Sequence, residues 1–233
     1  QNRYNKAVQK IKKAIKENLL GKLNIISLRL RWCRPQRYYD LSDWRGTFSH
    51  DGGALTNQGI HYIDLVKFLA GKPVSTFCKM DTFGAKIEVE DTVVGLVKFQ
   101  NKTLANIEVT TSTRPTDIEA SISFLGTKGF AQIGGIAANK LEIFTPDQKK
   151  CSKYSEKIPD AYGFGHFNFY EDLYKSIILK KNFPVSESDC LESIKFLHSF
   201  YESSEKSKEI FFKNIKGSKR LGRKNEKISK KYR

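Results

Sequence analysis

The residues best suited to chemistry lie on one segment, residues 52–64, Gly-Gly-Ala-Leu-Thr-Asn-Gln-Gly-Ile-His-Tyr-Ile-Asp. The pattern predicts a helix over about 54–70, closed by Gly71 and Pro73. With Asn57 set at 0° and ~100° per residue, His61 falls at about 40°, Asp64 at about −20° and Gly53 at about −40°. Leu55, Tyr62, Val66 and Leu69 gather on the opposite side. One stripe therefore faces a core, and Asn57, His61 and Asp64 form a polar stripe facing elsewhere. Imidazole is the side chain best matched to proton transfer near neutral pH. A carboxamide one turn before it can orient a substrate hydroxyl. An acid three residues after it can hold the ring or raise its basicity. The same spacing also fits a structural histidine or a surface His–Asp pair. A metal fits less well, because the stripe offers one His and one carboxylate, and Asn is a weak ligand.

The preceding stretch, residues 34–51, reads as a long polar and aromatic loop. Its Arg34, Arg37 and Arg45, mixed with Tyr38, Tyr39 and Trp44, can clamp a carboxylate or phosphate while the rings stack on a base or sugar. A solvated basic loop has the same composition. Its position just before the polar stripe favours one shared site. Phosphate-cradling and nucleophile motifs are missing: no GxGxxG follows a strand, and there is no P-loop, GxSxG or HExxH. The partial match at Gly163-Phe164-Gly165-His166 reads as a turn entering a helix.

Positioning these residues requires a scaffold. Residues 5–18 read as an amphipathic helix, with Val8, Ile11, Ile15 and Leu19 at three- and four-residue steps. Residues 23–33 read as a strand, with Leu28 and Leu30 on one face and Arg29 and Arg31 on the other. Short strands are expected over 74–83, 92–100, 103–111, 118–125 and 130–133, with hairpin signals at Asn101-Lys102 and Thr127-Lys128-Gly129. Their period-two alternation fits a sheet covered on one face. Helices over about 167–180 and 188–203 are expected on that covered face. The class is α+β, with a large, mostly antiparallel open sheet and helices on one face. The bare face either meets solvent or pairs with a second copy of the chain.

Length and composition bound the remaining possibilities. At 233 residues with 39% hydrophobic content, the chain can bury a real core. No run reaches the ~18–20 apolar residues of a membrane span. Net charge is +16; residues 213–233 carry +9 of it and the rest +7. The boundary is therefore set between a domain over 1–212 and a basic tail over 213–233, expected to be a solvated terminus. A basic surface suits an anionic ligand. Nucleic acid is a weaker reading, because Tyr232 is the tail's one aromatic residue and base stacking needs more. Cys33, Cys78, Cys151 and Cys190 are scattered, which points to reduced thiols and a cytoplasmic place rather than disulfides or zinc.

The 52–64 segment resembles the Gly-Gly … Asp/Asn … Gly-x-His-x-x-Asp signature of the Gfo/Idh/MocA oxidoreductases. Further runs resemble its branch of UDP-N-acetylglucosaminuronic acid 3-dehydrogenases, the WlbA/WbpB type. These are Gln1-Asn2-Arg3-Tyr4-Asn5, Arg31-Trp32 with Tyr38-Tyr39-Asp40, Trp44-Arg45-Gly46-Thr47, and Asp160-Ala161-Tyr162-Gly163-Phe164-Gly165-His166. The resemblance spans about residues 1–212. It implies a dihydrodipicolinate-reductase-like C-terminal domain that shapes the substrate site and builds a homo-oligomer, commonly through its open sheet face. The family's N-terminal Rossmann domain, with its glycine-rich loop and catalytic Lys, is expected ahead of Gln1 and is absent from this chain. The implied reaction is NAD-dependent oxidation of the 3-hydroxyl of a UDP-N-acetylamino sugar uronate, in surface polysaccharide biosynthesis. By this likeness His61 is the candidate base and Asn57 orients the sugar. Arg34, Arg37 and Tyr38 are candidate UDP-sugar contacts, and Arg45 with Trp44 are cofactor-side contacts. Asn57 stands where most of the wider family has Asp; the UDP-sugar branch is similar to this chain there. The resemblance leaves the chain itself inactive without the Rossmann half. The alternative is a non-catalytic sugar-nucleotide-binding or oligomerisation module.

Overall fold

The computed structural model describes residues 1–160 and 162–224. Its centre is an eight-stranded sheet in the order β7-β6-β5-β1-β4-β3-β2-β8. The strands are β1 (Leu23–Arg31), β2 (Pro73–Asp81), β3 (Thr92–Phe99), β4 (Leu104–Thr110), β5 (Glu119–Gly126), β6 (Phe130–Gly134), β7 (Lys140–Phe144) and β8 (Ile210–Phe211). All described pairings are antiparallel except β1 with β4. The first six match the expected strands; the short edge strands β7 and β8 had no such pattern. The Asn101-Lys102 hairpin forms, with Lys102 in the left-handed region at φ 70°.

Alternation sorts the two faces. From β1, Ile26, Leu28 and Leu30 are fully buried, while Ile25 and Arg29 point outward. Helices α1 (Lys6–Lys16), α3 (Ile60–Ala70) and α5 (Glu187–Lys206) cover the buried face. Ala7, Val8, Ile11 and Ala14 of α1 and Phe196 and Phe200 of α5 are wholly inside. The short helix α2 (Gln36–Asp40) lies within the predicted loop.

Two features depart from expectation. Helix α4 (Gly165–Leu179) does not lie on the sheet. The apolar face is already filled by α1, α3 and α5, so α4 leaves Phe167, Tyr170, Tyr174, Ile177 and Ile178 exposed. Nor does the basic segment leave the domain as a solvated terminus at residue 213. Lys216 and Gly217 amides donate to Glu202 Oε2 at 2.9 and 3.0 Å, and Ser218 N donates to His198 Nδ1 at 3.0 Å. Gly222 N then donates to the Phe48 carbonyl at 2.8 Å, with the Arg220 guanidinium 3.9 Å over the Phe48 ring. Carboxylates of α5 hold this segment by its backbone amides, Glu205 Oε2 also accepting from Lys219 N at 2.9 Å. The rest of the tail, 225–233, lies outside the described residues.

Candidate functional site

The two glycines at the head of the chemical segment serve different needs. Gly52 sits at φ +68°, a left-handed conformation open to glycine. Gly53 has no such constraint, but a Cβ there would fall 2.0 Å from the Glu90 carboxylate. The helix that follows starts as a π turn, Leu55–Gly59, before continuing as α3. A uniform 100° wheel does not anticipate that wider turn. Single π turns inside α-helices occur frequently at functional sites.

Asn57 lies on the π turn, half-buried, and its side-chain amide donates to Asp51 Oδ1. Asp51 Oδ2 in turn accepts from Gly46 N at 2.6 Å. Burial raises the Asp51 pKa against these two hydrogen bonds and Arg45. Gln58 Nε2 donates to the Tyr38 hydroxyl at 3.2 Å. Both contacts fasten the helix start to the arginine-bearing segment before it.

In that segment the guanidinium of Arg45 lies 4.2 Å over the Tyr38 ring and 5.2 Å over Trp44. Arg45 donates to the Tyr38 carbonyl at 3.1 Å, yet its Nε is buried without a hydrogen-bond partner. Arg34 stacks on Trp32 and Tyr38 at 5.1 and 5.5 Å and pairs with Asp117 at 3.0 Å. Arg37 is exposed, with no ion pair among the described residues. With Arg34 and Tyr38 it lines a shallow cleft of about 490 Å³. Thus Arg34, Tyr38, Trp44 and Arg45 come together, Asn57 is tied to them through Asp51, and Arg37 stands at the rim.

His61 opens to solvent in the first turn of α3. Desolvation is the main cause that lowers its pKa, the charge of His166 adds to it, and Asp64 opposes them. A lowered pKa leaves the ring neutral near pH 7, able to accept a proton. Three distant runs, around Gln1, His61 and His166, therefore converge. Asp64 does not hold the imidazole. It accepts from Arg3 Nε at 2.6 Å and Ser193 Oγ at 2.7 Å. Arg3 also pairs with Asp189, which Lys67 reaches at 2.5 Å. This network ties α3 to α5 and the N-terminal turn.

The sequence reading missed Asp51, Gln58, Glu90 and Tyr201. Asp51 and Gln58 are adjacent to recognised residues, and a polar side chain beside a polar stripe was the available signal. Glu90 and Tyr201 carried none, since their role exists only through contacts distant in sequence. Among the described residues no group of three or more His, Cys, Asp or Glu is placed to hold a metal ion.

The family model for the GFO/IDH/MocA C-terminal domain matches residues 8–132, more than half of the chain. The chain belongs to the Gfo/Idh/MocA family. Among solved structures, this family member is similar to the WlbA dehydrogenase from Bordetella pertussis in complex with NADH and UDP-GlcNAcA. The likeness has a TM-score of 0.83 and 33% identity, and covers 91% of this chain and 62% of that one. The WlbA dehydrogenase from Chromobacterium violaceum, also in complex with NADH and UDP-GlcNAcA, matches at the same TM-score and identity, over 91% and 61%. A levoglucosan dehydrogenase in complex with NADH shares the fold alone, at TM-score 0.75 and 19% identity over 91% and 64%. The Gfo/Idh/MocA chain described here thus spans about six-tenths of the length of these solved relatives. A comparison with curated protein sequences finds no match.

Proposed function

We propose that this chain is the sugar-nucleotide half of an NAD-dependent dehydrogenase that oxidises the 3-hydroxyl of a UDP-N-acetylamino sugar uronate. The observation that carries the reading is an exposed His61, its pKa lowered, that follows on the same helical segment an Asn57 tied through Asp51 to the arginine–aromatic cluster. A diphosphate and a carboxylate are the groups such a cluster recognises. The likeness to two structures holding UDP-GlcNAcA and NADH agrees with it. The role in surface polysaccharide biosynthesis follows from the same substrate class. A cytoplasmic place accords with four free cysteines, and among the described residues no helix is long and apolar enough to cross a membrane.

His61 removes the hydroxyl proton, Asn57 orients the sugar, and Arg34, Arg37 and Tyr38 hold the nucleotide side. Bound NAD would supply the acceptor for the hydride that the sugar carbon must lose. On this chain Arg45 and Trp44 would touch it, and the partnerless buried Arg45 Nε is a donor that suits a polar ligand atom. Most of the dinucleotide's binding belongs to a Rossmann domain outside this sequence, so this chain by itself is inactive. The exposed aromatic face of α4 begins at His166, whose charge is felt by His61. The open sheet face supports a homo-oligomer: Ile25, Phe77, Leu96 and Leu104 form an exposed apolar patch there.

The test is His61→Asn in a protein that joins this chain to its cofactor domain. Loss of kcat/KM by about 10²–10⁴ is expected for a general base, with UDP-GlcNAcA affinity retained by calorimetry. Near-normal turnover removes His61 as base. Binding without turnover in the unaltered protein favours the non-catalytic module.

A further inference from the structure

We infer that Glu90 and Tyr201 are the positioning pair of the sugar site, a role that rests on the reading of Asn57 and His61 given above. Glu90 lies just before β3 and is buried, as is Tyr201 on α5. Glu90 Oε1 accepts from Leu55 N at 3.1 Å and from the Tyr201 hydroxyl at 2.7 Å. The Glu90 backbone carbonyl accepts from Ala54 N at 2.9 Å. The Tyr201 hydroxyl accepts from Gly53 N at 3.2 Å and shares a hydrogen bond with Thr56 Oγ1 at 2.7 Å. Each residue from Gly53 to Thr56 therefore has a polar group held by the pair, and the next residue is Asn57.

A helix start presents amides that need acceptors. A local Ser, Thr, Asp or Asn cap normally supplies one, but no side chain caps this helix locally. Its amides are gathered instead by a carboxylate and a phenol from two other elements. Gly53 makes that possible by leaving room for the Glu90 carboxylate. The arrangement leaves Glu90 Oε2 buried without a partner, which costs stability. Its effect is to fix, from the core, the wide turn that carries Asn57 and leads into His61. The groups facing Glu90 fit the same picture. Burial pushes its carboxyl up to about 7; the hydrogen bonds from Tyr201 and Leu55 and the charge of Arg220 oppose the rise. Glu88, Asp81 and Glu205 border the same small cavity.

The experiment compares this chain with Tyr201→Phe, Glu90→Ala and Glu90→Gln variants. It reads the Asn57 side-chain amide and His61 imidazole signals by nitrogen-resolved NMR, assigned with Asn57→Ala and His61→Asn. UDP-GlcNAcA affinity is read by calorimetry and folding by thermal melts. Tyr201→Phe is expected to fold, to move both signals and to weaken affinity about tenfold, the worth of one oriented hydrogen bond. Glu90→Ala is expected to do the same, and Glu90→Gln, which keeps an acceptor at Oε1, to restore wild-type signals. A folded Tyr201→Phe with unmoved signals overturns the inference, even where Glu90→Ala fails to fold. Absence of UDP-GlcNAcA binding by the wild-type chain overturns the functional reading instead, and the NMR signals still decide the positioning.

Discussion

The base proposed at His61 must be neutral when a substrate arrives, and desolvation of its ring pushes it that way. Its expected orienting acid, Asp64, is hydrogen-bonded to Arg3 and Ser193 rather than to the ring, so it raises the imidazole's basicity only through its charge, and desolvation outweighs it. An acid limb at or below the ordinary histidine range of about 6.5 is expected in the kcat/KM profile of the complete enzyme. Glu90 behaves oppositely. Its carboxyl ionises near 4.5 when unfolded and at about 7 in the fold. Between those values the folded chain keeps a proton that the unfolded chain has released. Its contribution to stability is therefore full below about pH 4.5 and is lost as the pH rises through about 7. Thermal melts from pH 4.5 to 8 check this: the wild-type Tm should fall relative to that of Glu90→Gln across the window. Parallel curves would show that the buried carboxyl does not titrate there.

At the scale of elements, the decisive feature is how one helix begins. Hydrophobic spacing announced a helix over 54–70, and the turn and helix observed there, Leu55–Gly59 and Ile60–Ala70, occupy that span. The π turn was not legible, and its head is held by Glu90 and Tyr201, contacts that no spacing of neighbouring residues announces. Gly53→Ala isolates that start. Its new Cβ would meet the Glu90 carboxylate, so a loss of about 1–3 kcal/mol is expected in chemical denaturation, together with weaker UDP-GlcNAcA binding. A neutral outcome would mean that the carboxylate moves aside freely. Helix α4 teaches a related lesson. Its aromatic and aliphatic residues promised a sheet-packing helix, but apolar spacing does not say which surface a helix covers.

For the whole molecule, the two sheet faces divide the work. One is closed by α1, α3 and α5; the other carries Ile25, Phe77, Leu96 and Leu104 in the open, with Leu96 61% exposed. Leu96→Asp should lower the mass measured by sedimentation, while leaving the fold of each protomer intact, because no core contact is lost. An unchanged mass would overturn the proposed association through this face. The basic segment likewise shows how global context acts. Its charge was plain in the sequence, but its course along α5 to Phe48 depended on where Glu202 and Glu205 stood.

What the sequence determined by itself was local and periodic. Alternation set which residues of β1 face inward, three- and four-residue steps set the buried side of α1, and the order of residue types put Asn57 and His61 on one helix behind three arginines. Tertiary structure alone decided the distant partners: Arg3 for Asp64, and Glu90 and Tyr201 for the turn that carries Asn57. Periodicity is a property of neighbouring residues, whereas a hydrogen bond between side chains a hundred residues apart exists only after the sheet has brought their elements together.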